Sequence, residues 1–301
     1  MSINIPTWFY QQFKGNIQML SQQKTTRLRA AVSTGSHSGN AAAPVDQVGT
    51  VEMQEVTERF APMKRIDAPT DRRWVSPIDA DLPQLVDTFD QLKAVTDPKS
   101  ALVQNAVAAC NRKWDDLIGA AFFRTANTGA SATTGTTNFD STNQVVGVNV
   151  GGTASNLNVA KLRAAKKILL QNEAIDENTP IYCAITATEH DSLLNEIQII
   201  SMDFNSKPVM VDGWVDQFLG FRFIHSERPW LTTTATDDQS GQSKQIPVWV
   251  QSGMYLGIWN EVEVDISQRK DIQGLPWQVY HKLSAGATRI EEKKVVKIWC
   301  R

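Results

Sequence analysis

The longest run of hydrophobic and polar positions that keeps one period lies between Asp97 and Ala126, DPKSALVQNAVAACNRKWDDLIGAAFFRTA. Val103, Val107, Cys110, Trp114, Leu117, Ala121 and Phe122 recur at steps of three, four or one, which lays them on one stripe of a 3.6-residue helix as its expected core. Asp97 suits the N-cap, and Pro98 has no amide to lose at the first helical position. Asn127 and Gly129 supply an end. The segment is longer than the usual helix of about 12 residues and is the rod on which the chain is organised.

Ahead of the rod the pattern changes twice. Trp8, Phe9, Phe13, Ile17 and Leu20 fit a helical stripe interrupted by Gly15, and STGSHSGNAAAP is a small, polar, glycine-rich link that holds no core of its own. An apolar arm before a soft link is expected to dock outside its own domain, through Trp8, Phe9 and Phe13. Residues 48–67 read as extended and 72–79 as a returning strand, with 68–71 as the turn. The result is a long charged hairpin, too poor in apolar side chains to stand alone. It is expected to lie against another surface through Glu55, Glu58, Arg59, Lys64, Arg65, Arg72, Arg73 and Trp74, unless these charges only protect an ordinary sheet edge.

Residues 81–96 form a short amphipathic piece, and 125–152, rich in Gly, Ala, Ser, Thr and Asn, a mobile loop or a loose hairpin around Val145 to Val150. A second amphipathic helix is predicted from Asn158 to Asn172, a buried strand from Pro180 to Ile185, and a third helix through Ile197 opened by a capping box of Thr186 and Glu189. Residues 218–226 alternate as a strand, and 231–245 are a second polar loop. The end is strand-rich: 247–250, 254–259, 261–266, 277–283 and 293–299. In the third of these Glu261, Glu263 and Asp265 share one face and Val262, Val264 and Ile266 the other.

Composition narrows the classes. A chain of 301 residues, 42% hydrophobic and 21% charged, can bury the core of one large α+β domain or of two. No apolar run approaches the roughly 20 residues that span a bilayer, and the start has no signal-peptide pattern, so no membrane partner and folding in a cytoplasm are expected. Cys110, Cys183 and Cys300 are odd in number and set in apolar patterns, as buried thiols are. The net charge of -2 is uneven, because the first 45 residues hold Lys14, Lys24, Arg27 and Arg29 and no acid, which suits an acidic partner, nucleic acid or a merely solvated arm.

Catalytic chemistry is not evident. His37, His190, His225 and His281 lack metal-ligand spacing, and Asp115 and Asp116 point about 100° apart on a helix. No enzyme, cofactor or metal is expected, and self-association suits the parts better.

The order of those parts resembles the major capsid proteins of tailed bacteriophages with the Hong Kong 97 type fold. The resemblance rests on Asp87 and Asp90 in VDTFDQL, Asp97-Pro98, Arg112 and Asp115 in ACNRKWDDLIGAAFF, FLGFRFIHSERP centred on Gly220, and GATRIEEKKVVKIWC from Gly286 to Cys300. It covers nearly the whole chain. It implies an N-terminal arm over 1–45, an extended loop over 46–80, a peripheral domain over 81–156 with the spine helix 97–126, an axial domain over 157–260, and return strands of the peripheral domain over 261–301. It also implies pentamers and hexamers in an icosahedral shell around double-stranded DNA, a virion location after assembly in a bacterial cytoplasm, and as partners a portal, a separate scaffolding protein and a decoration or cement protein. Covalent cross-linking is not expected, since no asparagine and glutamate can be placed opposite Lys64, the hairpin's only lysine. An encapsulin-like nanocompartment sharing the fold, and a glycan-binding adhesion module, are the alternatives.

Overall fold

The computed structural model describes residues 21–40, 42–55, 63, 65–86, 99–150, 154–196, 213–233 and 243–301. The arm residues Trp8, Phe9 and Phe13, the cap Asp97-Pro98, and Glu58, Arg59 and Lys64 lie outside them.

The predicted rod is helix α1, Lys99–Ala121. Its core side is Cys110, Trp114, Leu117, Ile118 and Ala121, continued toward the start by Ala106 and Ala108. Val103 is half-buried and Val107 is 37% exposed, so the expected stripe fails at its first turns. Val107 has the helical phase of Trp114 but sits where the body no longer covers that face. The helix also ends five residues before the predicted Ala126. Phe122, fully buried, packs at a tilt against Trp249 with ring centroids 4.6 Å apart, and the chain then leaves as a strand.

Three sheets surround this helix. The first runs β1 (Ser33–Ser36), β13 (Met254–Gln268), β14 (Trp277–Arg289), β4 (Ile78–Val86), and α1 packs over β14. The segments 254–259 and 261–266, expected as separate strands, are one strand with two irregularities, between Ile258 and Asn260 and between Asn260 and Glu263. The second sheet runs β2 (Ala42–Val48), β3 (Thr70–Val75), β5 (Ala126–Thr128), β6 (Gly135–Thr137). The third runs β7 (Val145–Val146), β15 (Val295–Cys300), β12 (Ser243–Val250), β8 (Ile181–Ile185), β10 (Phe221–His225), β9 (Gln217–Phe218), with β11 (Thr232–Thr233) beside β12. Helices α2 (Val159–Gln171) and α3 (Ala187–Leu194) complete it.

The hairpin differs from its prediction. Its ladder pairs Val48 with Thr70 and Asp46 with Arg72, so 42–48 and 70–75 are the strands and 49–69 the tip. Gly49 donates to the carbonyl of Pro69 where the limbs part. Thr70 and Asp71 of the expected turn instead begin β3, because they pair with Val48 and Gln47, and Arg73 finds ladder partners on both sides. The amphipathic piece starting at 81 is the second half of β4, which pairs with β14 from Ile78 to Val86. The small hairpin in the polar stretch is β5 with β6, whereas Val145 and Val146 pair in parallel with β15. Residues 243–245, expected in a loop, lengthen β12 because Lys244 and Gln245 pair with Cys300 and Trp299. Asn158 caps α2 by accepting from the Lys161 amide, while the Thr186 hydroxyl donates to the Glu189 carboxylate and caps no amide.

One glycine row explains how two sheets meet. Gly35, Gly257 and Gly286 lie side by side across β1, β13 and β14. A methyl group on Gly286 would run into the carbonyl oxygen of Ser76 and the side chain of Val75, so the hairpin crosses the first sheet in direct backbone contact. Gly286→Ala is expected to lower subunit stability by about 1–3 kcal/mol through overpacking, read as a shift of the urea midpoint at unchanged slope.

Candidate assembly surfaces

The stretch 21–27, SQQKTTR, has no apolar side chain, so it is attached to α1 by hydrogen bonds alone. Arg112 donates to Gln22 Oε1 at 2.6 Å and to the Gln23 carbonyl at 3.2 Å, and Asn111 to the Lys24 carbonyl at 2.8 Å. Asp115, fully buried, accepts from the Arg27 amide at 3.0 Å, the Leu28 amide at 3.1 Å and the Gln23 side chain. Burial raises its pKa against the pull of those donors. From Leu28 the anchoring turns apolar: Leu28, Ala31 and Val32 are buried, and Trp249 donates to the Ala31 carbonyl at 2.8 Å. Asp115 and Asp116 do diverge as expected, since Asp116 turns to Arg228.

At the hairpin root a second buried network takes over. Arg289, fully buried, donates through Nη1 to the carbonyls of Phe122 at 2.8 Å and Arg124 at 3.0 Å, just past the end of α1. Those carbonyls have no helical partner, and the negative end of the helix dipole favours a cation there. Glu292 joins Arg289 at 3.4 Å to Arg73 at 2.7 Å, and Arg73 Nε and Gln47 Nε2 both donate to the Ile290 carbonyl. Burial lowers the pKa of Arg289, and Glu292 opposes that shift. Beside this joint Lys297 Nζ lies 4.4, 5.0 and 5.1 Å from the ring centres of Phe123, Phe139 and Trp299.

The hairpin side chains therefore divide. Arg73, 4% exposed, is held inside its own subunit, whereas Arg72 is exposed, pairs with Asp46 across the ladder and lies over the Trp74 ring. Trp74 is half-buried and donates to the Gly129 carbonyl at 2.8 Å. Glu55 and Arg65 are exposed at the tip, where Arg65 pairs with Asp67 at 2.7 Å. The tip also presents Met53 and Met63, each 99% exposed, with Val51 and Ile66. Sequence reasoning missed Asp115 as an anchor, and Arg289 and Glu292 altogether. The one available signal was a charged residue at a position where β14 otherwise alternates into the core.

Among the described residues no three His, Cys, Asp or Glu side chains gather as a metal site, and no helix is long and apolar enough to cross a membrane. The profile of the phage capsid protein family matches residues 5–301. The chain belongs to the phage capsid protein family. It is a structural major capsid protein, part of the virion, with the Hong Kong 97 type fold. No curated sequence relative matches. Among solved structures, the capsid of cyanophage P-SCSP1u is similar over 97% of this chain and 93% of its own, with TM-score 0.74 at 13% identity. The cyanophage Pam1 capsid covers 96% and 95%, with TM-score 0.73 at 9% identity. The capsid of Ralstonia phage GP4 covers 100% and 97%, with TM-score 0.70 at 10% identity.

Within this capsid subunit the two hairpin arginines should separate cleanly. Arg73→Leu leaves Glu292 and the Ile290 carbonyl short of a buried partner and is expected to cost about 3–5 kcal/mol, whereas Arg72→Leu should leave the urea midpoint unchanged. A second expectation concerns His281, fully buried with neither ring nitrogen hydrogen-bonded. Burial lowers its pKa, so the unfolded chain takes up the proton first as pH falls through about 6.5. Its contribution to stability is therefore complete above that pH and lost below it, by up to about 1.4 kcal/mol per pH unit. His281→Leu should flatten the difference in stability between pH 7 and pH 5.

Proposed function

We propose that this capsid protein closes into pentamers and hexamers of an icosahedral shell around double-stranded phage DNA. The hairpin and the N-terminal arm are its reach to neighbouring copies. The observation that carries this reading is the hairpin tip, where Met53 and Met63 stand 99% exposed on a projection whose root is locked by buried hydrogen bonds. A rigid root with an apolar, charged tip suits a contact repeated many times, in which geometry supplies specificity and number supplies strength. Glu55, Glu58, Arg59, Lys64, Arg65, Arg72 and Trp74 are the hairpin residues proposed to meet a neighbour, and Trp8, Phe9 and Phe13 those of the arm. Arg73 is better assigned to its own subunit.

The proposed division is an arm over 1–45, a loop over 46–80, a peripheral region with α1, and an axial region over about 157–260. Two boundaries need adjusting, since β4 crosses 80, β13 crosses 260, and β15 belongs with the sheet of β8 and β12. The DNA is held without sequence reading, in keeping with a net charge of -2 that repels rather than grips it. A separate scaffolding protein, a portal and a decoration protein are the further partners, and assembly takes place in the bacterial cytoplasm. The chemistry is geometric, with no catalytic step. The nanocompartment and glycan-binding readings are not favoured by the family assignment.

Expressed alone, the protein should give shells, capsomers or polyheads in negative-stain electron microscopy. Monomers that persist after addition of the phage's scaffolding protein would refute the reading. Arg72→Glu, which spares the buried root, should leave a folded subunit and cut the yield of closed shells at least tenfold, as counted on micrographs.

A further inference from the structure

The two buried guanidinium groups at the hairpin root are not fully satisfied. Arg73 Nη1 and Arg289 Nη2 are shielded from solvent and have no hydrogen-bond partner among the described residues, although the other nitrogens of both side chains are engaged. Folded proteins leave few buried donors in that condition, and a charged one costs the most.

The charge count points the same way. Arg73 is 4% exposed and Arg289 fully buried, and the two flank one carboxylate: Glu292 accepts from Arg73 Nη2 at 2.7 Å and from Arg289 Nε at 3.4 Å. Two cations thus share a single negative charge. Glu291, next in the chain, is already paired with Lys294 at 3.0 Å. Burial lowers the pKa of Arg289, Glu292 opposes that shift and Arg73 adds to it, so the two guanidinium groups repel across their shared partner. The carbonyls of Phe122, Arg124 and Ile290 bring dipoles and no charge, and the Arg289 guanidinium lies over the Phe139 ring at 5.4 Å. A water molecule would satisfy the free donors and leave the charge unbalanced, whereas an anion answers both. Burial this deep also limits the size of what can enter. A cleft lined in part by Gln47, Ile290 and Glu291 opens at the same root.

We propose that the hairpin root binds one small monovalent anion, chloride in size, held by Arg73 Nη1 and Arg289 Nη2 beside Glu292. The cleft is its way in. The ion completes the joint between the end of α1 and the hairpin, and because the site lies inside one subunit it does not depend on how copies assemble.

The test unfolds the full-length subunit in urea at one fixed ionic strength while chloride replaces gluconate, a carboxylate too bulky for the site. Once chloride exceeds its dissociation constant, the unfolding equilibrium constant should fall about tenfold for each tenfold rise in chloride, with the urea slope unchanged. Arg73→Lys keeps a cation for Glu292 and removes the free nitrogen, so most of that dependence should vanish. Stability indifferent to the anion would overturn the proposal, as would a chloride dependence that Arg73→Lys keeps in full. Should Arg73→Lys fail to fold, crystals of the wild-type chain grown in bromide decide. An anomalous peak within hydrogen-bonding reach of both nitrogens is the expected result, and its absence there would overturn the site.

Discussion

The guanidinium of Arg289 ties the end of α1 to the root of the hairpin. One of its nitrogens satisfies two carbonyls past the end of α1, and through Glu292 it reaches Arg73 at the root of the hairpin. A cation buried this deeply is tolerable only because helix dipole, carboxylate and carbonyls all face it. The helix end and the hairpin root consequently share one set of hydrogen bonds, and neither can shift without leaving a buried donor or acceptor unpaired. The glycine row adds a steric limit beside this electrostatic one, since the hairpin backbone rests directly on the first sheet at Gly286.

The arm is held on different terms. Residues 21–27 bring no apolar surface, and each hydrogen bond to α1 exchanges with water for a net gain of about 1 kcal/mol. From Leu28 onward burial takes over. Asp115 sits at that change of regime, a carboxylate whose partners are two amides and a glutamine. The same chain therefore carries a locked projection and a lightly tied strap, a useful contrast in a protein that first folds and then fits among its neighbours.

Much of this was legible in the sequence wherever the signal was periodic. The stripe from Cys110 to Leu117, the helix capped by Asn158, and the alternation in Phe221–His225 became the expected elements, since local pattern and tertiary burial agree there. The hairpin was legible as an object but not in its register, because charged strands with few apolar residues leave register to partners distant in sequence. Thr70 and Asp71 looked like a turn and are strand for that reason. Val107 kept the right helical phase and is exposed, since phase says nothing of where the body ends. The buried ionic joint left only the trace of Arg289 at a core-facing position of β14: Arg73 resembles Arg72 by composition, and only the fold brings Glu292 to one of them.

The lysine set among aromatic rings in the middle of β15 bears on how the subunit responds to ionic strength. Ion pairs at the surface, such as Arg72 with Asp46, weaken as salt shortens the Debye length to about 8 Å and less. Lys297 is held by the faces of Phe123, Phe139 and Trp299, an attraction to ring quadrupoles in a partly dried site that dissolved ions screen far less. The aromatic site and the exposed ion pairs of the subunit therefore belong to different salt regimes, and concentrated electrolyte would loosen Arg72 from Asp46 well before it freed Lys297 from its rings.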